Sequence, residues 1–87
     1  MQLTILTPEK ELYNGTIRSV KVPGTTGQFQ VLKGHAPIVA SLEAGTVHVE
    51  AEGGAKESFE IVRGFVEVYR NEVSVLAVTQ EPGQGES

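Results

Sequence analysis

The sequence predicts an all-β fold. Val, Ile and Thr together supply 23 of its 87 residues, and β-branched side chains suit a pleated, half-buried surface better than a helix. Turn residues punctuate the chain at Pro8, Asn14-Gly15, Pro23-Gly24, Gly34 to Pro37, Gly45, Gly53-Gly54, Gly64 and Asn71, roughly the 8–12-residue spacing of a sandwich or barrel. Most segments between these turns alternate apolar and polar residues, so each strand has one wet face. None suits a long helix.

Taken in order, the expected strands are Leu3 to Thr7, Thr16 to Val22, Phe29 to Leu32, Ile38 to Leu42, Thr46 to Glu52, Lys56 to Val62, Phe65 to Tyr69 and Val73 to Thr79. Two hairpins can be registered. A three-residue loop Gly53-Gly54-Ala55 sets Val49 opposite Phe59, Val47 opposite Ile61, Glu52 opposite Lys56 and His48 opposite Glu60, pairing apolar with apolar. A two-residue Gly53-Gly54 turn would instead oppose Glu50 to Glu57 and mix core with solvent. In the second hairpin, Arg70-Asn71 at the turn places Val66 on Val75, Val68 on Val73 and Glu67 on Ser74, with Asn tolerating positive φ. Residues 1–79 read as one domain, and the polar stretch from Gln80 to Ser87 has no apolar anchor and is expected to be disordered.

Composition excludes several function classes. Seven Lys and Arg against eleven Glu give a net charge of −4 and an acidic pI near 5.1, the wrong sign for wrapping phosphate backbones, so nucleic acid is not a partner. The chain has no Cys, which removes thiolate metal sites and thiol nucleophiles. Asp is also absent, which removes the Ser-His-Asp orienter and the aspartyl dyad. No Gly-x-Ser-x-Gly elbow occurs. The two imidazoles, His35 and His48, stand thirteen residues apart without a supporting cluster, so no metal or cofactor is expected. No run approaches the ~18 apolar residues of a membrane span, and a soluble, unprocessed chain is expected.

The segment Val22-Pro23-Gly24-Thr25-Thr26-Gly27-Gln28-Phe29-Gln30-Val31-Leu32-Lys33-Gly34-His35-Ala36-Pro37 is the most constrained. Gly24 to Gly27 is a turn and not a phosphate cradle, because no helix pattern and no Lys-Ser or Lys-Thr follow it. His35 sits where the chain turns, and either hydrogen-bonds a neighbouring carbonyl or touches a partner. This segment resembles the N-terminal domain of the epsilon subunit of bacterial F-type ATP synthase. Leu6-Thr7-Pro8 with Gly15, Leu42-x-x-Gly45-x-Val47, Gly64-Phe65-Val66-Glu67-Val68 and Val73-x-Val75-Leu76-Ala77 extend the resemblance over about residues 3 to 79.

The resemblance implies a flattened antiparallel β-sandwich of two sheets and about ten short strands. It also implies a non-catalytic rotor subunit that binds the gamma subunit and the polar loops of the c-ring, reaching the cytoplasmic face of the bacterial inner membrane only through the complex. Carried over by position, Thr25, Thr26, Gly27, Gln28 and Phe29 approach the c-ring, and Thr7, His35 and Ala40 approach gamma. Gln28 stands where the family often has an acid, and a hydrogen bond would replace that charge contact. Most members continue into a C-terminal helical hairpin that restrains ATP hydrolysis; with eight residues after Thr79, that function is expected to be absent. Two other readings compete: a β-sandwich adaptor that binds a peptide along a sheet edge, and a small enzyme centred on His35.

Overall fold

The computed structural model describes residues 1–80, so most of the expected disordered stretch, 81–87, lies outside the described residues. Among the described residues eight strands follow one another: β1 (Gln2–Leu6), β2 (Glu11–Gly24), β3 (Gly27–Leu32), β4 (Ile38–Leu42), β5 (Gly45–Ala51), β6 (Lys56–Ile61), β7 (Arg63–Tyr69) and β8 (Glu72–Val78). Among the described residues there is no helix. The count is eight, against about ten, and β2 accounts for one strand of that difference, since its fourteen residues run without a break through Asn14-Gly15. That dipeptide is no turn: β1 covers it, with Leu3 opposite Gly15 and Thr4 opposite Asn14, and the Gln2 side-chain amide donates to Asn14 Oδ1. Strand pairing overrides local turn preference there.

β2 belongs to two layers. Its first half pairs with β1, which is followed by β8, β7 and β4; its second half pairs with β5 and then β6 on one edge and with β3 on the other. A single bridge, Gly24 to Leu42, closes the corner between the layers. The first sheet is therefore β6-β5-β2-β3 and the second is β2-β1-β8-β7-β4. All pairs are antiparallel except β1 with β8, which is parallel. The molecule is flattened to 18 Å along its shortest axis, as expected of two sheets about 10 Å apart.

The alternation along β2 changes phase at Arg18. Ile17 opposes Ala51 but Ser19 opposes Glu50, so Arg18 is the extra residue of a β-bulge. Before it the odd residue Ile17 is buried, and after it the even residues Val20 and Val22 are. The core between the sheets is mostly Val, with Leu3, Ile5, Ile17, Leu42, Ile61 and Ala77 completing it. Burying a side chain of this size contributes about 1.5–3 kcal/mol, and no buried side-chain polar atom of the described residues lacks a partner.

The Arg70-Asn71 hairpin takes the expected register, with Val66 on Val75, Val68 on Val73 and Glu67 on Ser74, and both turn residues have positive φ, 50° and 64°. The β5–β6 hairpin does not. Val47 opposes Phe59, His48 opposes Ser58, and Glu50 opposes Lys56, a slip of two positions from the expected register. The loop is Glu52-Gly53-Gly54, closed by the Ala51 N–H on the Ala55 carbonyl at 2.8 Å. Its last residue needs positive φ, and Gly54 supplies it at 100°, where the expected loop would have required it of Ala55. A two-residue slip leaves every side chain on its face, so the core is unchanged.

Candidate functional site

Two exposed surfaces stand out. The first is the tip of the β2–β3 hairpin. Thr25-Thr26 make the turn between Gly24 and Gly27, which pair across it, and Gly27 re-enters the strand at φ 134°. Only glycine fits at position 24, where a Cβ would lie 2.7 Å from the Gly27 carbonyl oxygen and 2.9 Å from the Phe29 ring. The tip is tied to β4 by two backbone bonds: Thr25 N–H donates to the Ser41 carbonyl at 3.0 Å and Glu43 N–H to the Pro23 carbonyl at 2.9 Å. Thr25, Thr26, Gly27 and Gln28 are exposed and uncharged. Phe29 is half-buried and packs against the core, so it anchors the tip from behind.

Thr7, His35 and Ala40 are not brought together. Thr7 follows β1, and its hydroxyl is occupied in its own turn, donating to the Lys10 carbonyl and accepting from the Glu9 and Lys10 N–H groups. His35 lies towards the other end of the second sheet, where Gly34 N–H donates to Asn71 Oδ1 at 3.3 Å. About five residues of β8 separate these ends, ~17 Å at strand rise. The His35 Nδ1 donates to the Ala36 carbonyl at 2.8 Å; a carbonyl only accepts, so the proton is on Nδ1 and the ring braces its own loop. Ala40 sits midway along β4, opposite Val66, with its side chain on the core face.

The second surface is the outer face of the second sheet. Leu6 opposes Leu76, Leu76 opposes Phe65, and Phe65 opposes Ser41, so three large apolar side chains form one row across β1, β8 and β7. Val39, 70% exposed, extends it on β4, while Phe65 and Leu76 are each more than half exposed. The row borders an open groove of about 580 Å³ that reaches Thr7 and Pro8 at one end and Arg63 at its rim. Sequence reasoning missed these residues, although a signal was present: Phe65 precedes core Val66, and Leu76 stands between core Val75 and Ala77, so both faces of β7 and β8 carry apolar side chains.

The opposite outer face is polar. Gln30, Lys21, His48 and Ser58 form one row across the first sheet, and Arg18 pairs with Glu50 at 3.3 Å. His48 neighbours Ser58, whose hydroxyl lies 3.4 Å from Nδ1, in place of the expected Glu60, which Thr46 engages instead. Among the described residues no group of three His, Cys, Asp or Glu comes together.

The family described as ATP synthase, delta/epsilon chain, β-sandwich domain matches residues 1–83. The ATP synthase epsilon chain of Chlorobaculum tepidum is 45% identical over 74 residues, 85% of this chain and 84% of that protein. The epsilon chain of Helicobacter pylori strain HPAG1 is 39% identical over 77 residues, 88% of this chain but 62% of that longer protein. Among solved structures, a chain of the mitochondrial ATP synthase of Euglena gracilis, determined with OSCP, F1 and the c-ring, superposes with a TM-score of 0.81 at 29% identity, covering 87% of this chain and 49% of that one.

Proposed function

Because the chain belongs to the ATP synthase delta/epsilon family through its β-sandwich domain, whose epsilon members are non-catalytic subunits, we propose that it works in the central stalk of an F-type ATP synthase. It binds the gamma subunit and rests on the polar loops of the c-ring, so that ion flow through the ring turns the stalk as one body. The complex holds it at the cytoplasmic face of the bacterial inner membrane.

The observation that carries this reading is the apolar row Leu6, Leu76 and Phe65, with Val39, left uncovered on a small domain whose core is already closed. Exposed apolar patches of this kind mark partner surfaces, and this face is assigned to gamma, with Thr7 at its edge. His35 and Ala40 act from behind it, bracing a loop and packing β4. The tip residues Thr25, Thr26, Gly27 and Gln28 are assigned to the c-ring, with Phe29 as their anchor. Their ties to Ser41 and Glu43 connect the two surfaces through β4, which suits a body that transmits torque. Partner binding adds stability by mass action.

The test is to mix the chain with purified gamma and measure stoichiometry by size exclusion and affinity by calorimetry. A one-to-one complex weakened about thirtyfold or more by Phe65→Ser is expected, since an aromatic anchor costs about 2 kcal/mol or more when truncated. Absence of binding at micromolar concentrations overturns the reading.

A further inference from the structure

Along β7, Arg63, Phe65 and Glu67 all point outward on the second sheet, so a cation and an anion bracket the central aromatic of the apolar row. Among the described residues neither charge meets an opposite charge. Arg63 opposes Val78, and Glu67 lies between Val39 and Ser74; among the described residues the one salt bridge is Arg18 with Glu50, on the other sheet. In the row beyond, Glu72 opposes Tyr69, and the Arg70 guanidinium lies over the Tyr69 ring at 5.2 Å from its centroid, so these two charges offset each other and Glu67 carries the negative end.

We infer that this face is read with a fixed polarity: the partner segment that covers it is a helix whose apolar ridge is flanked by a carboxylate set against Arg63 and a cation set against Glu67. The inference rests on the gamma-binding reading and deepens it by giving the chemistry and direction of the segment. Four residues of strand separate the two charges, about 13 Å at strand rise. On a helix rising 1.5 Å per residue, positions seven or eight apart lie on one face at about 11–12 Å, within reach of flexible side chains. A helix satisfies its own backbone and offers side chains only, which matches a sheet face whose strands are already paired. Charges at the edge of an apolar contact set orientation and association rate, and a segment laid in the reverse direction would meet like charge at both ends.

The experiment is calorimetric titration of the full chain with purified gamma at 50 and 300 mM salt, using Arg63→Glu, Glu67→Lys, the double variant, Phe65→Ser, and Lys56→Glu on the opposite sheet as control. Each single reversal is expected to weaken binding about tenfold at low salt, and less at high salt. The double variant keeps the net charge, yet is expected to bind more weakly than either single variant, while Lys56→Glu binds as the parent does. A double variant that binds like the parent overturns the polarity, as does loss of binding in Phe65→Ser with both reversals silent; that second result leaves the docking face standing. A parent chain that does not bind gamma overturns both readings.

Discussion

On the outer face of the first sheet one row of the register reads Gln30, Lys21, His48, Ser58; on the second sheet the comparable row reads Leu6, Leu76, Phe65. Both rows lie on the same kind of pleat and back onto the same core, so folding alone does not require them to differ. The polar row is what a solvated antiparallel sheet presents. The apolar row, whose side chains are 37–55% exposed, forgoes roughly half of the ~1.5–3 kcal/mol that full burial of each would contribute, a share open to recovery when a partner covers the face. The contrast separates two demands on one alternating pattern: inward residues make the sandwich, and outward residues on one sheet make the surface proposed for gamma.

The harshest way to break the contrast is to force the second sheet apart from within. A Cβ at Gly64 would lie 2.3 Å from the Leu76 carbonyl oxygen and 3.1 Å from the Ala77 Cα, both backbone atoms that cannot swing away. Gly64→Val is expected to cost about 3 kcal/mol or more in urea unfolding and to abolish the apolar face, because overpacking against backbone displaces the strand itself. Gly53→Ala, with nothing within 4 Å of its Cβ and φ outside the left-handed region, is the matched control on the first sheet and should stay within about 0.5 kcal/mol. Equal losses from both would contradict the account.

A smaller effect belongs to the tip that joins the two sheets. Gly27 stands in open space but at φ 134°, so Gly27→Val introduces backbone strain of about 1–3 kcal/mol without a clash. Chemical denaturation should show that loss, and the variant should bind gamma normally while binding reconstituted c-ring poorly. The smallest effect lies on the polar face. Arg18 and Glu50 are 58% and 34% exposed at the side chain, and Arg18→Ala is expected to change stability by less than about 1 kcal/mol and leave gamma binding untouched. A large loss of affinity there would mean that both faces meet the partner.

Much of the fold was legible because its signals were local. Arg70-Asn71 fixed its hairpin because a two-residue turn with positive φ at both positions admits one register between those valines. Ile38–Leu42 was bounded correctly by Pro37 and by the apolar alternation behind it. Gly53-Gly54 misled because adjacent glycines offer several loop frames, and the choice fell to whichever placed glycine at the last loop position. The bulge at Arg18 had a visible trace, apolar residues at 17, 20 and 22 in place of a strict alternation, but which neighbour absorbs the extra residue depends on β5. Of the candidate site, the exposed tip was legible as a constrained turn. The apolar face was not, since Leu6, Val39, Phe65 and Leu76 come from four strands and meet only through the pairings of β1 with β8, β8 with β7 and β7 with β4.

The sequence by itself determined the all-β class, the inward valines, the Arg70-Asn71 turn and the absence of thiol and aspartate chemistry, because period, turn propensity and composition act over a few residues at a time. Tertiary structure alone decided that β2 serves both sheets, that β1 lies parallel to β8, that Ala40 faces inward, and that a row of outward apolar residues becomes one surface. Those outcomes rest on contacts between segments tens of residues apart, whose free energy depends on which strands become neighbours, and no local pattern encodes that choice.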